Sequence, residues 1–352
     1  MSVAGATPLQ RLVAERLGLQ FDETRLPLLA ELQRRHGGSQ AQAQAAWLER
    51  LAHCATDSGP WLELAQDLTV TETSFLRYPE QFDAFAEQAL PARLAALAPG
   101  QSLRILSAGC ASGDEPYSLA MVVHERCPQA LGRMSLRAVD VNAAALARAR
   151  AGRYTAWSLR QLPAPLRERW FRPIAGAGGD FLLDRALREA VRFEWHNLAD
   201  EDRQLWQDGA WDIVFCRNMM MYFTPERMHA LVQRIERSLA PGGYLFLGHA
   251  ETLRGLPSAL RLCHSHGCFY YQREPVPAAP PMGSAWQPGP AASPPASLGA
   301  AAAIDPHWVD TVQQAHSRIG ALAASARELA GTPPRATDLG PAYEALRAER
   351  FD

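Results

Sequence analysis

The stretch Leu103-Arg-Ile-Leu-Ser-Ala-Gly-Cys-Ala-Ser-Gly-Asp-Glu-Pro-Tyr-Ser-Leu-Ala-Met121 decides the fold. It opens as a short apolar run of strand length, turns at Gly109 and Gly113, and continues as a helix. Glycine lets a backbone turn sharply and approach a ligand closely. Open α/β sheets bind their ligands at such a place, at the carboxyl ends of the strands. The spacing is not the dinucleotide pattern G-x-G-x-x-G, and no Lys-Ser/Thr pair forms a phosphate loop, so a pyrophosphate ligand is not expected.

Outward from this segment, short apolar runs alternate with helical ones: Leu136–Val141, Val191–Trp195, Trp211–Cys216, Tyr244–Gly248 and Cys268–Gln272. Strands alternating with helices predict parallel βαβ units, hence an α/β fold with a doubly wound, Rossmann-like sheet. Thr224 is placed to cap the helix after Trp211–Cys216, Pro225 suits its first turn, and Pro241-Gly242-Gly243 is read as its stop. Towards the N-terminus, residues 7–68 read as short amphipathic helices. One starts at Thr7-Pro8, a second covers about Glu23 to His36, and a third carries Trp47, Leu48 and Leu51. Beyond Glu274 the chain is rich in Pro and Ala, an extended linker that cannot build a core. The expected organisation is a small all-α N-terminal domain (1–70), a sheet domain (71–273), a linker (274–304) and a helical tail (305–352).

Composition excludes several classes. Hydrophobic content is 47% and charged content 20%, as in ordinary water-exposed domains. A net charge of -2 offers nothing to nucleic acid or to an anionic membrane. No run reaches the roughly 18 apolar residues of a membrane span, and Met1–Pro8 is not a signal peptide, so a cytoplasmic protein is expected. All 35 basic residues are Arg, so a cation that grips a carboxylate must be Arg or His. The six scattered cysteines read as free thiols.

Asp140 ends the second predicted strand. An acid about 20 to 30 residues past a glycine turn can accept hydrogen bonds from both hydroxyls of a ribose. The same residue is also placed to cap the helix that starts near Ala143. A glycine turn with a spaced acid and no phosphate cradle favours S-adenosylmethionine.

Several motifs, in order and in register, resemble one family. They are Ser107-Ala-Gly-Cys-Ala-Ser-Gly-Asp-Glu-Pro-Tyr-Ser118, Thr71-Glu-Thr-Ser-Phe-Leu-Arg77, Asp140-Val-Asn-Ala, Ala147-Arg-Ala-Arg-Ala-Gly-Arg-Tyr154 and Asn197-Leu198. Trp211-Asp-Ile-Val-Phe-Cys-Arg-Asn-Met-Met-Met-Tyr-Phe223 and Pro241-Gly-Gly-Tyr-Leu-Phe-Leu-Gly-His-Ala-Glu251 complete the set. From about residue 10 to residue 273 the chain resembles the CheR-type chemotaxis protein methyltransferases. The resemblance implies methyl transfer from S-adenosylmethionine, leaving S-adenosylhomocysteine, to glutamate carboxylates on the cytoplasmic helices of methyl-accepting chemoreceptors. It implies cofactor contacts from Thr71, Thr73, Arg77, Gly109, Glu115, Asp140, Asn197, Leu198, Arg217 and Asn218. Thr73 and Arg77 would close over the methionine end, Glu115 would pair with the amino group, Asp140 would hold the ribose, and Asn197 and Leu198 would flank adenine. Arg217, Asn218 and Tyr222 would line the transfer end, with Arg77, Arg217 and Tyr222 as the catalytic set. Thr71, Leu76, Ala111 and Asp114 stand where the family more often has Asn, Phe, Ser or Thr, and Glu; none of these removes a required charge.

Such a reaction needs no general base, because a glutamate side chain is ionised at neutral pH. Arg77 or Arg217 would orient the carboxylate and Tyr222 would border the methyl group. The competing readings are that Arg217 and Asn218 merely satisfy a strand end and that Tyr222 is core. At the level of function they are a small-carboxylate methyltransferase and a cofactor-binding scaffold without turnover.

Other motifs are read as structural. Cys263-His-Ser-His-Gly-Cys268 is packed too closely for a tetrahedral site and falls where a hairpin belongs, so no metal is expected. Arg148, Arg150 and Arg153 are read as a solvated helix face. Arg25, Arg34 and Arg35 are read either the same way or as an attraction for an acidic receptor helix. The stretch 170–189 holds glycines that permit the small β insertion with which this family docks receptor tails. The end, Ala342 to Asp352, resembles the first helix of a tetratricopeptide repeat without its second, and leaves the tail as the segment open to another signalling protein. A monomer is expected.

Overall fold

Side-chain alternation along the strands assigns two faces to a central sheet. In β1 (Leu103–Ala108), Leu103 and Ile105 join one buried apolar cluster while Leu106 and Ala108 join another, as a period of two requires. In the computed structural model, which describes residues 6–176 and 179–274, β1 is joined by β2 (Met134–Asp140), β6 (Val191–Trp195), β7 (Trp211–Cys216), β8 (Leu239–Leu247), β9 (Arg261–Ser265) and β10 (Cys268–Gln272). The order is β6-β2-β1-β7-β8-β10-β9, with β10 antiparallel to both neighbours and the other pairs parallel. A separate antiparallel sheet, β3-β5-β4, is formed by β3 (Arg153–Tyr154), β4 (Phe171–Pro173) and β5 (Phe181–Leu183). The described residues all fall within one unit, Met1–Pro280. Apart from Glu274, the expected linker and tail lie outside the described residues.

Ahead of the sheet come α1 (Pro8–Arg16), α2 (Leu26–Gly37), α3 (Ala41–His53) and α4 (Gly59–Leu68). Thr7 opens α1 with a reciprocal capping box, its hydroxyl accepting from Gln10 N and the Gln10 side chain accepting from Thr7 N. These helices have no core of their own. Leu9, Leu32, Trp61 and Leu64 belong to the same buried cluster as Leu106, Val214 and Leu245 of the sheet. The other face is covered by α5 (Pro79–Ala84), a π turn, α6 (Leu90–Ala96) and α7 (Asp114–Arg126), whose Phe82, Phe85 and Tyr117 cluster with Ile105 and Phe215. The remaining helices are α8 (Ala143–Ala151), α9 (Ala164–Trp170), α10 (Arg185–Glu189) and α11 (Pro225–Ser238).

Three local readings change. Helix α11 stops at Ser238, and Pro241-Gly242-Gly243 lies inside β8. There the register against β7 jumps from Trp211↔Leu239 to Ile213↔Tyr244, so the Pro-Gly-Gly is a bulge in a strand. Arg153 lies in β3, since Gly152 at φ 64° ends α8, and Arg150 donates to the Phe193 carbonyl at 2.9 Å. The cap of α8 is Asn142, which accepts from Ala145 N at 2.8 Å, and this leaves Asp140 for another role. The Cys263–Cys268 stretch is a hairpin turning at His266-Gly267, both at positive φ. No cluster able to hold a metal occurs among the described residues.

Candidate active site

The carboxyl ends of β1, β2, β6 and β7 open into a cleft enclosing about 1090 Å³, mouth included, and Leu17, Leu19 and Phe21 of the N-terminal region close its side. Every residue expected at the site lines it: Thr71, Thr73, Arg77, Gly109, Glu115, Asp140, Asn197, Leu198, Arg217, Asn218 and Tyr222. The topology explains the convergence, because consecutive parallel strands deliver their following loops to one edge of the sheet.

At one end the backbone is pinned around Asp140. One carboxylate oxygen accepts from Ala111 N at 2.8 Å and the other from Asn142 N at 2.7 Å. Burial pushes this carboxyl up from the usual range, and the backbone N–H groups oppose the shift. A carboxylate has about four lone-pair sites, so each oxygen keeps capacity for one more donor. That is what two adjacent hydroxyls of a ribose require. Gly109 sits at φ 79°, and a Cβ there would come within 2.9 Å of Met219 Sδ. Gly113 serves packing: its Cβ would meet Ala149 at 2.9 Å and Phe193 at 3.0 Å, and it does not line the cleft. Asn197 lines the cleft with its side chain held by the protein. Its amide donates to Arg16 O at 2.7 Å and to Asp200 Oδ1 at 3.0 Å, and accepts from Ala199 N at 3.1 Å. One amide hydrogen therefore ties the sheet to α1 and the other braces the loop after β6, so both are engaged within the protein.

At the other end the groups are charged. Arg217 is 6% exposed. Its Nη1 lies 3.5 Å from Glu115 Oε2, its Nη2 donates to the Arg77 carbonyl, and its Nε is buried without a partner. Glu115 also accepts from Ser107 Oγ at 2.7 Å. Burial raises the Glu115 carboxyl and lowers the Arg217 guanidinium, and each partner opposes the other's shift. Arg77 is less committed, with a 3.4 Å bond to the Glu72 carbonyl and its guanidinium 5.3 Å from the Tyr78 ring centre. Arg217 lies 5.4 Å from the same ring. Leu76 and Tyr78 flank Arg77 at φ 52° and 65°. Left-handed backbone at bulky residues is strained by about 1–3 kcal/mol each, and such strain clusters at functional sites.

Two features had no assigned role in the sequence reading. Glu251 accepts from the backbone N–H of Asn218, Met220 and Gly248, each at 2.8 Å, and so fixes the loop that carries Arg217 to Tyr222. Its motif was legible, but the three bonds close only once β7 and β8 are neighbours. The segment Gly18–Gln20 pairs with that same loop: Gln20 N donates to Tyr222 O at 2.7 Å and Thr224 N to Gly18 O at 2.8 Å. Tyr222 is half-buried and lines the cleft, so it is not core.

This geometry has relatives. Residues 71–268 match the family described as CheR methyltransferase, SAM binding domain. Chemotaxis protein methyltransferase 1 of Pseudomonas aeruginosa is 35% identical over 229 residues, covering 63% of this chain and 81% of the relative. Chemotaxis protein methyltransferase Cher2 of Pseudomonas putida is 31% identical over 268 residues, covering 75% of this chain and 90% of the relative. The chemotaxis protein methyltransferase of Vibrio parahaemolyticus is 36% identical over 208 residues, covering 58% and 73%. With the family match spanning more than half of the chain, on a parallel sheet whose glycine turn and Asp140 suit a nucleoside, the chain belongs to the CheR family of S-adenosylmethionine-dependent methyltransferases.

Proposed function

We propose that this protein methylates glutamate side chains on the cytoplasmic helices of methyl-accepting chemoreceptor-type proteins, working in the cytoplasm, with residues 1–70 as the receptor-docking part. Among the described residues no helix is long and apolar enough to cross a membrane. The observation that carries the reading is Arg77, an Arg at the cleft with only one hydrogen bond among the described residues, next to an Arg217 already engaged by Glu115.

S-adenosylmethionine supplies a methyl group on a positively charged sulfur. When bound, it would give that methyl to a carboxylate oxygen and leave as S-adenosylhomocysteine without a proton transfer, so no general base would be needed. The protein therefore orients and desolvates. Arg77 suits the incoming carboxylate, since its fork matches two oxygens and stacking on Tyr78 sets its plane. Arg217 suits a positioning task, holding Glu115 towards the cofactor's amino group and the Arg77 carbonyl between the strained Leu76 and Tyr78. Tyr222 borders the transfer end on a loop fixed from both sides. Asp140 serves the ribose, Thr71 and Thr73 cover the methionine end with Gly109 and Asn218 beside them, and Leu198 contributes apolar wall near adenine.

The test uses methyl-labelled cofactor with receptor-rich bacterial membranes. Label on a receptor-sized band that mild base releases as methanol is the expected result, since methyl esters are base-labile. Asp140→Ala should abolish cofactor binding and label together. Tight binding by the unaltered protein without transfer to any receptor would replace this reading with that of a scaffold.

A further inference from the structure

Six large hydrophobic side chains are exposed among the described residues, and three of them surround the cleft rather than being scattered. Val70 is 54% exposed and lines the cleft itself. Met221 is 47% exposed and lies between the lining residues Met219 and Tyr222; its carbonyl accepts from Gln20 Nε2, also of the lining, at 3.4 Å. Trp157 is 64% exposed and is linked to the cleft wall at Glu72 and to the segment behind it at Phe75. Arg160 lies 4.2 Å from the indole centre and 3.7 Å from Glu72 Oε1, and the neighbouring Ser158 carbonyl accepts from Phe75 N at 3.1 Å. Arg160 Nη1 also donates to the Trp157 carbonyl at 2.8 Å, so one guanidinium braces both ring and backbone.

An exposed, braced Trp presents a large contact area at little cost in ordering, which is why Trp dominates the energetics of protein interfaces. A site for a small carboxylate has no use for one outside its walls. Two of the cations here, Arg77 in the cleft and Arg160 on the rim, match a partner that carries carboxylates among apolar residues.

We infer that Trp157, Met221 and Val70, with Arg160, form the seat for the substrate helix. Apolar side chains one turn before and after the methylated glutamate rest on Trp157 and Met221, and Arg160 faces a neighbouring acid. On a helix, positions three or four apart share a face, so this seat selects glutamates by their apolar flanks. The inference rests on the proposed receptor substrate.

The experiment compares steady-state methylation of receptor cytoplasmic fragment by the full chain and by Trp157→Ala, Trp157→Phe and Met221→Ser. The expected result is a KM for the fragment raised about tenfold in Trp157→Ala, as truncation of an interface Trp costs at least about 1.4 kcal/mol. Trp157→Phe should recover much of the loss, Met221→Ser should raise KM less, and kcat and cofactor Kd should hold in both Trp157 variants. A fragment with Ala at the flanking apolar positions should no longer distinguish Trp157→Ala from the unaltered protein. An unchanged KM in Trp157→Ala and Met221→Ser would overturn the seat while leaving the substrate reading intact. Loss of self-association with unchanged KM would also overturn it, assigning the rim to a second copy. Absence of transfer by the unaltered protein would overturn the substrate reading, and the seat with it.

Discussion

At the Asp140 end of the cleft, backbone N–H groups do the holding; at the Arg217 end, side-chain charges do. Asp140 takes two backbone N–H groups and pairs with no cation among the described residues. Glu115, within the same cleft, takes a hydroxyl and an Arg that is itself buried. Backbone donors fix a group without adding charge, which suits a neutral ribose that must be recognised and later released. A buried ion pair beside a second Arg builds a local field, which suits a step in which charge is redistributed between carboxylate and sulfonium. The contrast extends to the backbone. Leu76 and Tyr78 bring strain to the charged end, while at the other end the sharp turns fall mostly on glycine, with Ala111 at φ 46° the exception.

The largest effect should come from breaking the buried pair. Arg217→Ala leaves the Glu115 carboxyl buried without its cation, which typically costs about 3–5 kcal/mol. Chemical denaturation should show that loss, and Glu115→Gln in the same chain should restore much of it. A single variant as stable as the unaltered protein would mean that the two ends do not differ as described.

Asp114 is adjacent to Glu115 in sequence but lies outside the cleft lining, away from Arg217, and this gives a pH-dependent test. Asp114 is fully buried, accepts from Ser112 Oγ at 2.8 Å and has one oxygen without a partner. Burial, opposed by the Ser112 bond, raises its carboxyl from 3.8 to about 6. Between those values the folded chain keeps a proton that the unfolded chain has released. Its contribution to stability is therefore full below about pH 4, falls as pH rises, and is lost above about pH 6, a span on the order of 3 kcal/mol. Asp114→Asn keeps an acceptor for Ser112 and does not ionise. Its stability advantage should grow from near zero at about pH 4 to a plateau above about pH 6. Urea midpoints that differ by a constant amount over this window would show that the Asp114 carboxyl is not shifted.

The sheet was legible because its signals are local and redundant. Trp211–Cys216 is all buried and flanked by turn residues, so its position follows from the apolar run alone. The β8 bulge was not legible: Pro241-Gly242-Gly243 is equally suited to ending a helix, and only pairing with β7 decides. The site residues were legible as a set, because family motifs carry them and parallel strands bring their loops together. Their division of labour was not. That Arg217 is committed and Arg77 open, or that the Asn197 amide faces α1, depends on contacts between residues 140 or more apart in sequence. For the same reason the amphipathic pattern of the N-terminal helices does not show what they pack on, which is one face of the sheet.

The smallest effect, and the finest test of the contrast, is at Glu251. Its carboxylate belongs to the charged end but works as Asp140 does, by collecting backbone N–H groups from Asn218, Met220 and Gly248. Gly248 has to lack a side chain for this, since a Cβ would lie 2.7 Å from Asn218 Nδ2 and 2.8 Å from Glu251 Oε2. Glu251→Gln replaces one acceptor oxygen with a donor that faces an N–H, so at least one bond is lost and the loop from Arg217 to Tyr222 loosens. Because this loop lines the transfer end, kcat should fall about tenfold, the scale of one lost hydrogen bond to a charged group. Cofactor Kd, set mainly around Asp140, should change by less than about twofold. Parallel losses in kcat and cofactor binding would show that the two ends act as one unit. A fall in kcat alone would show that orientation at the charged end is maintained independently of how the nucleoside is held.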